Sequence, residues 1–485
     1  MSHDEVELKL TTEDFSTEHL VVRRLRAAER MNVPYLIEVE LIAVNDQAPA
    51  LADLVGATIE VTLCRAGSVD RPFGGVVRRV SEHHERNDEG GLSFTLEVVP
   101  HFWLAKLVET LDVHLEMSLP EVIEAKLALI DLHPGSGYDL ALLGNYPKRE
   151  MMVQYRETDL AFIDRWCEHH GIFYYFVPEP GGATLVFGDH AGAYRPIADD
   201  HSVSFSPRGD DVGIYELAAE QGVVPRMYVI RDYNDQAPAV DIQADHVLET
   251  GFGGGIVEYG PDLDTNDQAK ELAAIRAEER ECRRVVFKGK SNDTRFAAGH
   301  TVSLENHPRH DGDLLLIEVE HEAAQNVPGW DDVDVAYKNG FVAISASHCF
   351  RPLRATPIPR VHGLVAGIVE TVQGDIRRDA LLDDQGRYTV RFLFDTSAPG
   401  ERKASCPVRM MQPHAGPGYG MHFPLKPGVE VAIAFLDGNP DRPLIAGSVP
   451  NPITGSPVTA STSTKNRIKT RSGILLEFED ASRGT

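Results

Sequence analysis

A chain of 485 residues, 42% apolar and 25% charged, is too long for one ordinary core and should hold about three or four domains that fold without staples. Its formal net charge of −27 disfavours nonspecific binding to DNA, RNA or anionic membranes, because like charges repel. Cys64, Cys167, Cys282, Cys349 and Cys406 are scattered and form no CxxC pair. They argue against a disulfide framework or a zinc ribbon and for a reducing compartment.

The acidic start, Met-Ser-His-Asp-Glu, has no apolar signal core, and no stretch approaches a membrane span. The first hundred residues alternate in strands. Val6, Leu8 and Leu10 share a face, as do Ile37, Val39 and Leu41, then Ile59, Val61 and Leu63, then Phe94, Leu96 and Val98. Gly56, Gly67, Gly74, Gly75, Gly90 and Gly91 punctuate them. Ser118-Leu-Pro-Glu121 opens a helix with a capping box. A second helix is predicted from about Thr158 to His169, with Leu160, Ile163, Trp166 and Cys167 on one side and Gly171 at its end. Strands are expected at 172–177, 228–232 and 314–319, and a helix from about Asp267 to Arg284.

Pro352, Pro357 and Pro359 mark a linker. Beyond it, Tyr388, Val390, Phe392 and Phe394 share one face. Val429, Val431, Ile433 and Phe435 repeat the pattern before an Asp437-Gly-Asn-Pro440 turn, which is the size of an OB-like barrel. Thr, Ser, Gly and Pro dominate from Asn451 to Ser463, a second linker. The end is β-like again. Ile468, Ile474, Leu476 and Phe478 alternate with polar residues on two strands too short to stand alone. Other copies of the chain are their expected partners, so these four are the candidate residues of an interface between copies.

Chemistry is sparse. There is no GxSxG, HExxH or P-loop, and Gly251-Phe-Gly-Gly-Gly255 reads as a surface turn. His83-His84 and His169-His170 diverge, and His307 and His310, near His300 and His321, read as turn packing rather than zinc ligands. Glu278, Glu279 and Glu281 read as a solvated helix face. The OB-region aromatics Tyr388, Phe392, Phe394, Tyr419 and Phe423 read as packing rather than a nucleic-acid platform. No catalytic, metal or cofactor-binding residue is assigned.

Several segments together carry a family signature. They are Tyr155-Arg-Glu-Thr-Asp-Leu-Ala-Phe162, Glu168-His-His-Gly-Ile-Phe-Tyr-Tyr175, Asp232-Tyr-Asn234, Gly299-His-Thr-Val and His307-Pro308. The strongest run from Asp384-Gln-Gly-Arg-Tyr-Thr-Val-Arg-Phe392 through Pro424–Phe435 to Gly438-Asn-Pro-Asp-Arg-Pro-Leu-Ile-Ala-Gly447 and Asn451. In their order the chain resembles the VgrG spike proteins of bacterial type VI secretion, relatives of contractile phage tail hub and spike proteins. Ser405-Cys-Pro-Val-Arg-Met-Met411 departs from that pattern by lacking a tryptophan.

The resemblance implies a mainly β fold: a two-β-barrel phage-hub-like region, an OB-like β-barrel and the start of a trimeric β-helical needle. The expected bounds are 1–150 and 151–345 for the two hub regions, the second with short helices. The OB-like barrel is expected at 355–450, a linker at 451–465 and the needle start at 466–485, too short for a complete needle. The implied role is non-enzymatic, a structural hub and membrane-puncturing spike of a contractile injection apparatus. A peptidoglycan-degrading enzyme is the alternative. Implied partners are two further copies in a homotrimer, a hexameric tube protein, baseplate proteins and PAAR-type tip or effector proteins. The target membrane is met only transiently, and nucleic acid is not a partner. Assembly is expected in the cytoplasm without a signal peptide, followed by export with the particle.

Overall fold

The computed structural model describes residues 6–44, 49–65, 68–85, 91–208, 211–330, 333, 336–370, 382–395 and 404–480. The expected turns at Gly67 and Gly90 and the last five residues lie outside them. The fold is mainly β, as the periodicity predicts, and the described residues divide into two compact units.

The larger unit spans 1–108, 119–146 and 158–357 and is organised by a 13-stranded sheet. In spatial order its first half is Val6–Thr11, Thr58–Arg65, Ser68–Glu85, Gly91–Val99, Val33–Ala43 and Leu20–Arg30. Alternation builds it: Ile37, Val39, Leu41, Ile59, Val61, Leu63, Phe94, Leu96 and Val98 are all buried. In Leu20–Arg30 the buried set shifts from Leu20 and Val22 to Leu25 and Ala27. A bulge between Val22 and Arg24 inserts the extra residue that resets the face.

The outer edge of Leu20–Arg30 pairs with Gly312–Ala324, in register from Arg24–Ala324 to Arg30–Glu318. Tyr337–Ser345, Val285–Ser291 and Ile214–Gln221 follow. His300–Glu305 lies on the other side of Gly312–Ala324, and Ser202–Ser204 pairs with it in parallel. A bridge from Phe205 to Ile214 then returns the second half on itself. Two rings of strands thus share one continuous sheet.

The first ring is fastened by a side chain. Gln325 accepts from the Leu8 N–H at 2.9 Å and donates to the carbonyls of Leu8 at 3.1 Å and Val22 at 2.5 Å. One amide takes the place of a ladder between the Val6–Thr11 and Leu20–Arg30 strands. Beneath the seam lies a buried polar network. Arg71 pairs with Glu29, which also accepts from the Ala298 N–H at 3.1 Å. His321 approaches Glu29 at 3.5 Å and meets the Tyr337 hydroxyl at 2.8 Å. Burial alone would raise the Glu29 carboxyl, but Arg71, then His321, hold it down to about 2. Burial lowers the neighbouring His300 to about 4.

Helices cover this framework. Asp159–His170 is capped by the Thr158 hydroxyl and ends at Gly171, whose φ of 68° suits glycine. Asn266–Glu281 starts with a Thr265–Gln268 capping box and packs on a three-stranded sheet of Ile242–Val247, Pro225–Asp232 and Gly253–Tyr259. The glycine run read as a turn continues into that last strand, with Phe252 exposed beside it. The three helix glutamates are paired: Glu279 is buried against Arg280 and Arg354, Glu278 meets Arg351, and Glu281 meets Arg284. The solvated reading fails at Glu279, which is buried and takes a partner, Arg354, from far along the chain.

Two outcomes are expected. Gln325→Ala strands the Leu8 N–H and should cost about 1–3 kcal/mol in chemical denaturation. Acid should weaken the larger unit in two windows. His300 and Glu29 both bind protons more weakly when folded than when unfolded. Their stabilisation is therefore complete above the unfolded values, 6.5 and 4.5. It is lost as pH falls through about 4 for His300 and about 2 for Glu29. Denaturant midpoints measured against pH for the chain and Glu29→Gln check this, and the variant should flatten the lower window.

Candidate assembly interface

The smaller unit spans 109–118, 147–157 and 358–485. Its centre is a five-stranded sheet in the order Pro407–Val408, Tyr388–Phe392, Val365–Val369, Glu430–Phe435 and Pro443–Ser448. A parallel bridge between Met410 and Ile445 closes it. There the Met411 N–H donates to the Ile445 carbonyl at 2.8 Å, and the Ile445 N–H donates to the Arg409 carbonyl at 2.9 Å. The alternating residues fill the barrel: Tyr388, Val390, Phe392, Val431, Ile433 and Ile445 are buried. Phe394 stacks on Phe392 at 5.0 Å. Tyr388 and Phe392 are therefore core, whereas Tyr419 and Phe423 stand exposed. The Tyr388 hydroxyl hydrogen-bonds to His422 at 2.7 Å and accepts from the Leu425 N–H at 3.1 Å. Burial raises its pKa.

Part of this core comes from far upstream. Glu109–Met117 and Arg149–Thr158 form a two-stranded ribbon, and Val113, Met151 and Val153 are buried in the barrel cluster. The Val153 N–H donates to Asp441 at 2.6 Å, and Tyr155 meets Phe394 edge-on at 5.4 Å. The sequence reading missed this ribbon. The signal was present in Leu111, Val113, Leu115 and Met117, which alternate, but nothing in periodicity says which core a strand enters.

Beyond the barrel, Asn451 donates to Glu430 at 2.9 Å, and the chain reaches a hairpin of Lys465–Lys469 and Leu475–Glu479. Its register sets Ile468 opposite Leu476 and Asn466 opposite Phe478. One face therefore carries Ile468, Leu476 and Phe478, exposed by 43%, 51% and 59%. Ile474, 72% exposed, sits at the turn end. The opposite face is an ion ladder. Lys465 reaches Glu477 at 2.8 Å and Glu479 at 3.4 Å, and Arg467 reaches Glu477 at 2.7 Å. Those bonds from Lys465 and then Arg467 hold the Glu477 carboxyl below its ordinary range. Leu475, on the charged side, is also exposed, and the sequence reading did not select it. The ladder fixes which face is polar, and so leaves the other as a self-contained apolar surface.

Among the described residues no group of three or more His, Cys, Asp or Glu is arranged to hold a metal ion. His307 and His310 stack on each other at 5.2 Å, while His300 and His321 are buried in the larger unit. His169 and His170 pack around Trp166. No helix among the described residues is long and apolar enough to cross a membrane.

The ribbon's contribution is measurable. Met151→Ala removes a buried side chain from the barrel core and should destabilise the smaller unit by about 2–5 kcal/mol, read as an earlier melting transition of that unit.

Comparison with known proteins agrees with this architecture. Residues 28–327 match the family model of the phage tail baseplate hub (GPD), and residues 367–449 match the type VI secretion system/phage-baseplate injector OB domain. The type VI secretion system spike protein VgrG1a of Pseudomonas aeruginosa is 29% identical over 456 residues, covering 89% of this chain and 68% of that protein. The chain spans only 59–68% of the length of the three VgrG1 relatives it matches in that organism. In fold it is similar to E. coli c3393, described as a type VI secretion component with structural similarity to T4 tail proteins gp27 and gp5. That likeness has a TM-score of 0.68 at 21% identity and covers 91% of this chain and 100% of the other. A chain of the lidded Francisella PdpA–VgrG complex matches with a TM-score of 0.62 at 7% identity, covering 98% of this chain and 75% of that one. With a hub match over more than half its length and an injector OB domain after it, the chain belongs to the phage tail baseplate hub family as a VgrG-type spike protein of the type VI secretion lineage.

Proposed function

We propose that the chain is the structural hub and membrane-puncturing spike of a contractile injection apparatus, working as a parallel homotrimer without catalytic activity of its own. The larger unit docks on the end of a hexameric tube and on baseplate proteins, and the segment from 466 onward begins the needle that carries tip or effector proteins. The chain is made in the cytoplasm and leaves with the particle. The observation that carries this reading is the hairpin, whose Ile468, Leu476 and Phe478 face outward while its charges are spent on each other. Such a surface is a liability on a monomer and an interface in an assembly.

Charge opposes association, since every copy brings −27. The repulsion is distributed and screened by salt. Apolar burial contributes about 25 cal/mol per Å², so an interface of obligate size outweighs it after the cost of association. Complexes of Francisella VgrG with PdpA support the expectation of a further protein partner.

Light scattering on the whole chain and on one ending at Asn451 tests the assembly. The whole chain should have the mass of a trimer at micromolar concentration, and a monomer would defeat the reading. A trimer in both would move the holding contacts to the units before the hairpin. The double substitution Leu476→Asp and Phe478→Asp should shift the full chain toward smaller species by about tenfold or more in dissociation constant, because charge enters an apolar interface. Its secondary structure should be kept, since both residues are exposed in the single chain. Incubation with peptidoglycan should give no turnover.

A further inference from the structure

The segment after the Tyr337–Ser345 strand has the composition of a loose connection and no regular secondary structure through residue 355. Nevertheless it is fastened residue by residue. The Phe350 ring is buried beneath the Arg283 guanidinium at 4.6 Å, and its N–H donates to the Tyr194 hydroxyl at 2.7 Å. Arg351 donates from Nε to Glu278 at 2.7 Å, and from Nη1 to the carbonyls of Gly171 and Asp189, each at 2.9 Å. Arg283 Nη1 donates to the Arg351 carbonyl at 2.6 Å. Arg354 reaches Glu258 at 2.8 Å and Glu279 at 3.3 Å. The Thr356 N–H and hydroxyl each take one oxygen of Glu168, at 2.9 and 2.8 Å.

The bed is a row of four carboxylates from three elements: Glu168 on Asp159–His170, Glu258 on Gly253–Tyr259, and Glu278 and Glu279 on Asn266–Glu281. Other cations meet it too, with Arg276 on Glu258 and Arg280 on Glu279. The fastening changes in kind along the segment. Phe350 and Pro352 are buried, whereas Leu353, Arg354 and Ala355 are exposed. From residue 353 onward it is held by charge-assisted hydrogen bonds rather than by apolar burial. Contacts of that kind separate without uncovering a core, which is the physical requirement for a local order–disorder element.

We infer that residues 353–357, bolted at Arg351, form a charge-held strap that opens as a unit while the sheet it leaves stays folded. Closed, its Arg354 joins Arg276, Arg280 and Arg351 in pairing with Glu258, Glu278 and Glu279. Open, it releases five residues, up to about 17 Å of extended chain, ahead of residue 358. This inference does not depend on the spike reading, since it concerns one folded chain. The environment suits cations at Glu258 and not at Glu168. Burial would raise Glu258, but Arg276 and then Arg354 lower it. At Glu168 burial prevails over the bonds from Thr356, and the carboxyl is raised.

Trypsin tests the strap on the full chain, with fragments identified by mass spectrometry. Its susceptible bond is Arg354–Ala355, because proline follows Arg351. Cleavage there should be slow at low salt and rise several-fold between about 0.05 and about 1 M sodium chloride as the ion pairs are screened. Glu278→Gln and Arg351→Ala should each raise the low-salt rate about tenfold and flatten the salt dependence, and the double variant should add little to either, as for one shared interaction. The melting temperature of the larger unit is read alongside. If Arg351→Ala lowers it, Glu278→Gln decides, because Glu278 is partly exposed and its loss leaves the body packed. Cleavage of folded Glu278→Gln at the unaltered rate would overturn the strap. So would cleavage of the unaltered chain as fast as a free peptide of residues 348–357.

Discussion

The pairing of Leu20–Arg30 with Gly312–Ala324 is the constraint on which the larger unit rests. It joins strands about 300 residues apart in sequence and turns two rings into one sheet. Loop-closure entropy of that order must be met before any contact repays it, so the seam needs strong local reasons to form. It has three: a seven-pair ladder from Arg24 to Arg30, the Gln325 amide that fastens the first ring beside it, and the Glu29–Arg71–His321 network beneath it. The network adds specificity as much as stability. A buried carboxylate is tolerated only where its cation and hydrogen bonds are in place, so a slipped register leaves Glu29 unpaired in an apolar interior.

How much of this was legible in the sequence follows from the range of each interaction. Strand faces were readable where one side meets a core, because the two-residue period is local: Ile37, Val39 and Leu41, or Tyr388, Val390 and Phe392, are buried as their alternation predicts. The Asp159–His170 helix was readable from Thr158 and Gly171, its cap and its stop. What periodicity cannot carry is destination. Val113 and Val153 drew no reading from the sequence, and only the fold shows that they enter a core built mainly from residues after 360. Glu278 and Glu279 were misread as solvated because Arg351 and Arg354 sit more than seventy residues away.

The apolar face of the terminal hairpin was legible for the same reason that strands were. Ile468, Leu476 and Phe478 alternate with Lys and Glu, and the register sets them on one side. The ion ladder behind them was not, since alternation names the faces without naming the pairs. Lys465 bridging Glu477 and Glu479 helps a two-stranded element, marginal by itself, hold its shape before any partner covers it.

The ribbon inside the OB barrel has a consequence for how the chain comes into being. Its second strand leaves the ribosome by residue 158, and the last barrel strand ends at Ser448. The interval is about 290 residues, which at about 5–20 residues per second is about 15–60 s of synthesis. For that time Val113, Met151 and Val153 exist without the core they belong to. A nascent chain with such an exposed strand pair is open to wrong pairing or to capture by a chaperone. A segment cut from residue 358 onward takes the barrel strands and leaves behind the part of their interior that Val113, Met151 and Val153 fill.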